Sequence, residues 1–158
     1  MKNTFKRSGA ALISLVLLLV LAVSAGAASS QNVGVKFWKE RSDRESMANS
    51  GIDPDRTATL TRQANGTYTL TLPVMQVSKL GVTGYLSGLT IGDVTYDGTL
   101  TGDLNKATAV LTIKNLPASV LTGSDVNKSV LVTCNIQMDL QVLGEINTSA
   151  RMCIWNQK

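Results

Sequence analysis

Histidine is absent from the 158 residues. That removes the commonest general base and the commonest nitrogen ligand for a metal. There is no Gly-x-Ser-x-Gly elbow, and the only two cysteines, Cys134 and Cys153, have no Cys/His companions at metal-site spacing. Nucleophilic and zinc catalysis have nothing to build on, so the chain reads as a binding protein and not an enzyme. Charge of one sign is missing as well. Lys2, Lys6 and Arg7 hold three of the 15 basic residues, so the formal +4 falls to +1 over residues 28–158, 12 basic against 11 acidic. So small a charge leaves no footprint for nucleic acid or for polybasic contact with a membrane. Aromatic residues make up only 4%, which leaves Thr, Val, Leu and Gly to dominate, an all-β composition.

The one long apolar run is Ala10 to Val23. It follows the basic start and precedes Ala25-Gly26-Ala27, a small-residue cleavage pattern. The expectation is a secretory signal peptide over residues 1–27, the run being short for a membrane span of roughly 20 residues. No lipid-bearing cysteine stands at the cleavage point, and no second apolar stretch or sortase-type tail follows. The remainder, residues 28–158, is expected to be one secreted domain, extracellular or cell wall-associated, with no membrane span after signal cleavage.

Strand patterns fill that domain. Val130, Val132, Cys134, Ile136, Met138, Leu140 and Val142 alternate with Leu131, Thr133, Asn135, Gln137, Asp139 and Gln141. Period two puts one whole face of a long strand into a core. A partner over Thr148–Trp155 follows a turn near Leu143-Gly144-Glu145, making a closing hairpin. Val33, Val35 and Phe37 alternate in a first strand; Ala58 and Leu60, then Tyr68, Leu70 and Leu72, mark two more. Between those two, a loop Ala64-Asn65-Gly66 with Gly66 left-handed sets Leu60 opposite Leu70. Val82–Ile91 is a further strand, Asp97-Gly98 is expected as a hairpin turn, and Ala107, Ala109, Leu111 and Ile113 alternate before Pro117. The fold class is all-β, an immunoglobulin-like antiparallel β-sandwich, with a closed barrel as the open alternative.

One segment is not a strand. Ser42 and Glu45 stand three apart in a capping box, and Asn49-Ser50-Gly51 offers a stop. The expectation is one short helix at a loop, carrying Ser46, Met47, Ala48 and Asn49. It acts either as a connector with Met47 plugging the end of the sandwich or as a lip over a cleft.

This order of parts (first strand, short helix with Ser46-Met47, strand with Ala58 and Leu60, Asn65-Gly66 turn, Tyr68-Thr-Leu, long closing hairpin) resembles the NEAT (near-iron-transporter) domain of Gram-positive surface proteins over residues 33–157. The stretch from Pro73-Val-Met75 through Gly81-Val-Thr-Gly84-Tyr85-Leu86 is similar to a segment of secreted NEAT-like modules. The resemblance implies a haem uptake or relay protein whose cofactor, haem, lies between the short-helix lip and the last hairpin. Ser46 and Met47 would then touch the porphyrin. The implied partners are haem or a haemoprotein, and other cell-surface proteins. One departure is plain. The final strand lacks the family's Tyr-x-x-x-Tyr, presenting Met152 flanked on its face by Ala150 and Ile154. A haem carrier related to this fold uses two methionines, so Met47 and Met152 are the expected iron ligands, with Ile154 and Trp155 as walls. The alternative is an extracellular protein-interaction or adhesion module of the cell envelope without haem.

The cysteines bear on this choice. A hairpin centred between Leu143 and Gly144 sets Cys134 opposite Cys153, close enough to bridge, and a lone pair outside the cytoplasm usually does. A Cys134–Cys153 disulfide is therefore expected, with Ala150, Met152 and Ile154 turned away from the core. A turn of odd length does the reverse. It keeps the thiols apart, sends the triad into the core and deprives the ligand of its lower wall.

Overall fold

The computed structural model describes residues 28–79, 82–139 and 144–158. The expected leader over 1–27, and Leu140 and Val142 of the alternating run, lie outside the described residues. Nine strands follow in order: β1 Ser29–Lys39, β2 Ala58–Arg62, β3 Tyr68–Pro73, β4 Val77–Lys79, β5 Val82–Ile91, β6 Val94–Thr101, β7 Val110–Leu116, β8 Val130–Met138 and β9 Glu145–Asn156. The described helices are 3-10 turns, of which Met47–Gly51, between β1 and β2, is the lip.

Hydrogen bonding runs β5-β6-β7-β3-β2-β1-β9-β8 and returns from β8 to β5. The two layers of the expected sandwich are thus joined into an eight-stranded, barrel-like ring, with β4 added beside β5. β5 makes the closure. It pairs with β8 along most of its length, shifting register between Leu86 and Gly88, while its other flank holds β4 at one end and β6 at the other. A bulge of this kind bends a strand enough to turn a corner.

The core follows the alternation in the sequence. Val33 and Phe37 of β1, Ala58 and Leu60 of β2, Leu70 and Leu72 of β3, and Leu111 and Ile113 of β7 are all buried in one cluster. Each large aliphatic side chain fully withdrawn there contributes on the order of 1.5–3 kcal/mol. Leu60 does pair with Leu70, and Gly66 is left-handed at φ 83°.

Three expectations are corrected. Asp97-Gly98 is not a turn, because β6 runs straight through it and the β5–β6 connection is Gly92-Asp93. Gly98 is there because a Cβ would come within 2.3 Å of Leu111 Cδ1 and 2.7 Å of the Ser87 carbonyl. Ser42 and Glu45 form no capping box either. Glu45 bridges Trp38 in an antiparallel pair, and its carboxylate meets Lys36 Nζ at 2.5 Å, so the helix starts later, with Ser46 as N-cap.

The third correction concerns the closing hairpin. Gln137 pairs with Glu145, Cys134 with Thr148 and Val130 with Met152. Seven residues lie between Gln137 and Glu145, so the connection has odd length and Cys153 falls on the face opposite Cys134. Both cysteines are free and buried, and no Cys134–Cys153 disulfide exists. Ala150, Met152 and Ile154 turn inward and are fully buried in the core.

Candidate functional site

The inward face of β5, β8 and β9 does not stop where the core stops. Beyond Cys134 and Ala150 it continues through the pairs Leu86–Ile136, Ile136–Ile146 and Gly84–Met138, which share one side of the sheet. These residues line an open cleft of about 240 Å³, with Met47, Ala48 and Gly51 of the lip facing them and Val77 and Val82 at the β4 side. The lining is overwhelmingly apolar, and Thr148 supplies one hydroxyl toward the core end. Tyr85 borders the cleft too, but it alternates with Gly84 and Leu86 and pairs with Gln137, so its ring belongs to the other face.

Short-range chemistry holds the lip in place. Asn49 Oδ1 accepts from the Phe37 N–H at 2.8 Å, and Asn49 Nδ2 donates to the Phe37 carbonyl at 2.7 Å. The side chain thereby imitates a neighbouring strand along the free edge of β1. The Ser46 N–H reaches the same carbonyl at 2.9 Å, and the Ser46 hydroxyl accepts from Ala48 N at 3.3 Å. Ala48 is buried while Met47 is 53% exposed at the cleft rim. The preceding loop is held to β9 by Arg151, which donates to Lys39 O at 3.1 Å and Ser42 O at 2.9 Å and pairs with Asp43 at 2.7 Å.

Beyond Met138, the Asp139 carboxylate accepts from Gln76 Nε2 at 2.7 Å and from the Thr83 hydroxyl, tying β4 and β5 to the end of β8. The Met138 sulfur lies over Gly84, where an added Cβ would come within 2.9 Å of it. Cys134, paired with Thr148 at the inner end, is a buried thiol pushed up to about 12 from 9.0 by desolvation, so it stays protonated.

Of the five residues the sequence nominates for ligand binding, only Met47 lines this cleft. Ser46 serves as the N-cap behind it. Met152 and Ile154 are wholly inside the core, so Met152 offers no sulfur to the cleft and Ile154 no wall. Trp155 lies on the outer face against Gly34, where a Cβ would fall 2.3 Å from the indole ring. The reason is the odd hairpin connection, which reverses every assignment on β9. Sequence reasoning missed Met138, Ile136, Ile146 and Thr148, although two of them, Ile136 and Met138, stand in the alternating face it had identified.

No family model matches this chain, and no curated protein does. Solved structures do. A point mutant of the fifth NEAT domain of IsdX2, in complex with haem, superposes with a TM-score of 0.53 at 11% identity, covering 83% of this chain and 98% of that domain. The chain has the fold of a NEAT domain. The NEAT5 domain of the B. anthracis hemophore IsdX2 with haem bound gives a TM-score of 0.50 at 10% identity over the same shares. At such identity the likeness speaks for the NEAT architecture alone.

Proposed function

We propose that this NEAT-like domain binds haem in the cleft between the lip and the β8–β9 hairpin, as an extracellular or cell wall-associated binding protein without enzymatic activity. The observation that carries the reading is the apolar inward face of β5, β8 and β9, which runs past the core into an open cleft roofed by the lip. A face of that kind, left uncovered, calls for an apolar occupant. The cleft is smaller than the roughly 300–1,000 Å³ of sites that engulf a ligand, which suits a flat macrocycle inserted by one edge with its polar edge in water.

The donor set fits such a group. Two thioethers, Met47 from the lip and Met138 from the hairpin, line the same cleft. Thioether sulfur is a soft ligand that raises the potential of haem iron. The pair expected as Met47 with Met152 is therefore proposed as Met47 with Met138. Ile136 and Ile146 would hold the ring by apolar contact and exclude water. Haem, when bound, would supply redox-active iron, and Met47 and Met138 would be the residues that hold it through sulfur.

The test is a titration of the purified protein with ferric and with ferrous haem, followed in the Soret band. Saturable binding, tighter for the ferrous form, is expected, with altered spectra for Met47→Ala and Met138→Ala. Absence of saturable binding in either oxidation state would overturn haem binding and leave the extracellular interaction module. Unaltered spectra in both variants would reject the thioethers alone.

A further inference from the structure

Among the described residues, the edge of β1 carries an unpaired position. β2 accompanies β1 only from Ser29 to Val33. Further along, the lip side serves Phe37 through Asn49 and Ser46, and the Lys39 N–H through the Arg44 carbonyl at 2.8 Å. Backbone groups at positions 35, 37 and 39 point the same way, away from β9. The partner of Val35 on β9 agrees with this. Ile154 sends its N–H to Thr122 Oγ1 at 3.3 Å, and its carbonyl accepts from Thr122 and Gly123 at 3.1 and 3.0 Å, so it too faces away from β1. Val35–Ile154 is thus a non-hydrogen-bonded pair, and the Val35 N–H and C=O project into the gap between β1 and residues 52–57.

That gap is a second cleft, of about 210 Å³, polar where the first is apolar. Val35, Asp53, Asp55, Arg56 and Trp155 line it. Asp53 is buried. Its Oδ1 accepts from Asp55 N at 3.0 Å, and its Oδ2 lies 3.7 Å from Arg56 Nη1. The Arg56 guanidinium is fixed by donation to the carbonyls of Ala107 at 2.8 Å and Ala109 at 3.1 Å. Trp155 stands at the rim, its indole against the bare backbone of Gly34.

We propose that this cleft binds one α-amino-acid unit through its backbone. In an antiparallel sheet, the N–H and C=O of one residue are matched by the C=O and N–H flanking a single Cα on the other strand. Val35 presents one such pair with no neighbour among the described residues to fill it, and strand edges recruit extended backbone in this way. The gap spans one residue, since β2 closes it at Val33 and the lip at Phe37, so the match is a –NH–CHR–CO– fragment and not a long strand. The Asp53–Arg56 pair is internally compensated and supplies polar surroundings for an amide at either end. Directly opposed residues share a face, so the ligand's side chain lies on the Val35 side, while Trp155, on the outer face beside Gly34, flanks the ligand's backbone.

The source is either one residue of a peptide or a free amino acid, and two probes separate them. The ¹⁵N-labelled full chain is titrated with N-acetyl-L-leucine methylamide and, separately, with L-leucine. Saturable shifts are expected at the Val35 amide, which bonds the ligand, and smaller ones at the Trp155 indole on the rim. Binding of the capped residue alone assigns a peptide, and equal binding of leucine assigns the free amino acid. A hydrogen-exchange measurement on the unliganded chain checks the geometry without any variant. Val35 should exchange about tenfold or more faster than Phe37. Protection of Val35 equal to Phe37, or no saturable shift with either probe at tens of millimolar, overturns the proposal. Neither result bears on the Soret titration, so the two sites stand or fall separately.

Discussion

Replacing Asn49 by alanine should detach the lip from β1 while leaving the barrel intact. The structure supplies the magnitude. Two hydrogen bonds, at 2.8 and 2.7 Å, disappear together. The Phe37 carbonyl keeps the Ser46 N–H at 2.9 Å, so only the Phe37 N–H is left without a partner, and Phe37 is fully buried. Each lost bond is worth about 1 kcal/mol net, and a stranded buried donor adds its desolvation cost, so the loss is about 2–3 kcal/mol. That is a large part of a stability of roughly 5–15 kcal/mol. Urea denaturation of Asn49→Ala beside the parent reads it directly, with Ser50→Ala, an exposed neighbour, as the control expected within about 0.5 kcal/mol of the parent. Because Ala48 and Met47 ride on the same turn, haem affinity should fall with the stability. An Asn49→Ala protein within about 0.5 kcal/mol of the parent would refute the view that this side chain acts as a substitute strand.

Other outcomes follow from the same contacts. Met152→Ala should lose about 2–5 kcal/mol from a core cavity and leave the haem spectrum unchanged, whereas Met138→Ala should change the spectrum at a smaller cost in stability; equilibrium unfolding and the Soret band separate them. Cys134 and Cys153 should react with a thiol reagent only after unfolding, and dithiothreitol should leave the melting temperature unmoved, since no bridge exists to reduce. Stability should fall with pH above about 9, where an ordinary cysteine thiol ionises, toward about 12, because the unfolded chain gives up the Cys134 proton there and the folded chain keeps it. The slope from this group is up to about 1.4 kcal/mol per pH unit, and pH-dependent denaturation of Cys134→Ala should lack it. Gly98→Val should unfold at lower denaturant or fail to accumulate, the Cβ having no room beside Leu111 Cδ1 and the Ser87 carbonyl.

The strands were legible wherever one face was buried, because alternation at period two is written into residue identity. Val33 to Phe37, Leu60 opposite Leu70, and Val132 with Cys134 all behave as their pattern requires. What alternation cannot report is the parity between two strands that pair. One residue in the connection after Gln137 exchanged the faces of β9, and the assigned roles of Met152, Ile154, Trp155 and both cysteines changed with it. Glu45 misled for a different reason. A Ser-x-x-Glu spacing is a local signal, and the Glu45 pairing with Trp38 and Lys36, set by the path of β1, overrode it. Asn49 read as a helix stop, while its amide mattered more as a partner for a strand edge 12 residues earlier.

Which methionine stabilises the fold and which faces the cleft is decided by position along β5, not by alternation. Cys134, Ile136 and Met138 share one side of β8, yet the first is sealed and the last two line open space. The difference lies in what flanks β5. Over Gly88–Ile91 it pairs with β6, which leads round the ring through β7 and β3 and closes the barrel over Leu89 and Cys134. Over Val82–Gly84 its flank is the short β4, with no strand beyond it among the described residues, so the ring is interrupted there and the lip faces the apolar side. A closed barrel fills its interior with side chains; one whose closure stops halfway along a strand leaves the remaining inward face as a ready cleft. The cleft thus depends on the short reach of β4 and on the pinning of the lip by Asn49, and the proposed apolar ligand would occupy space that a longer β4 would have turned into core.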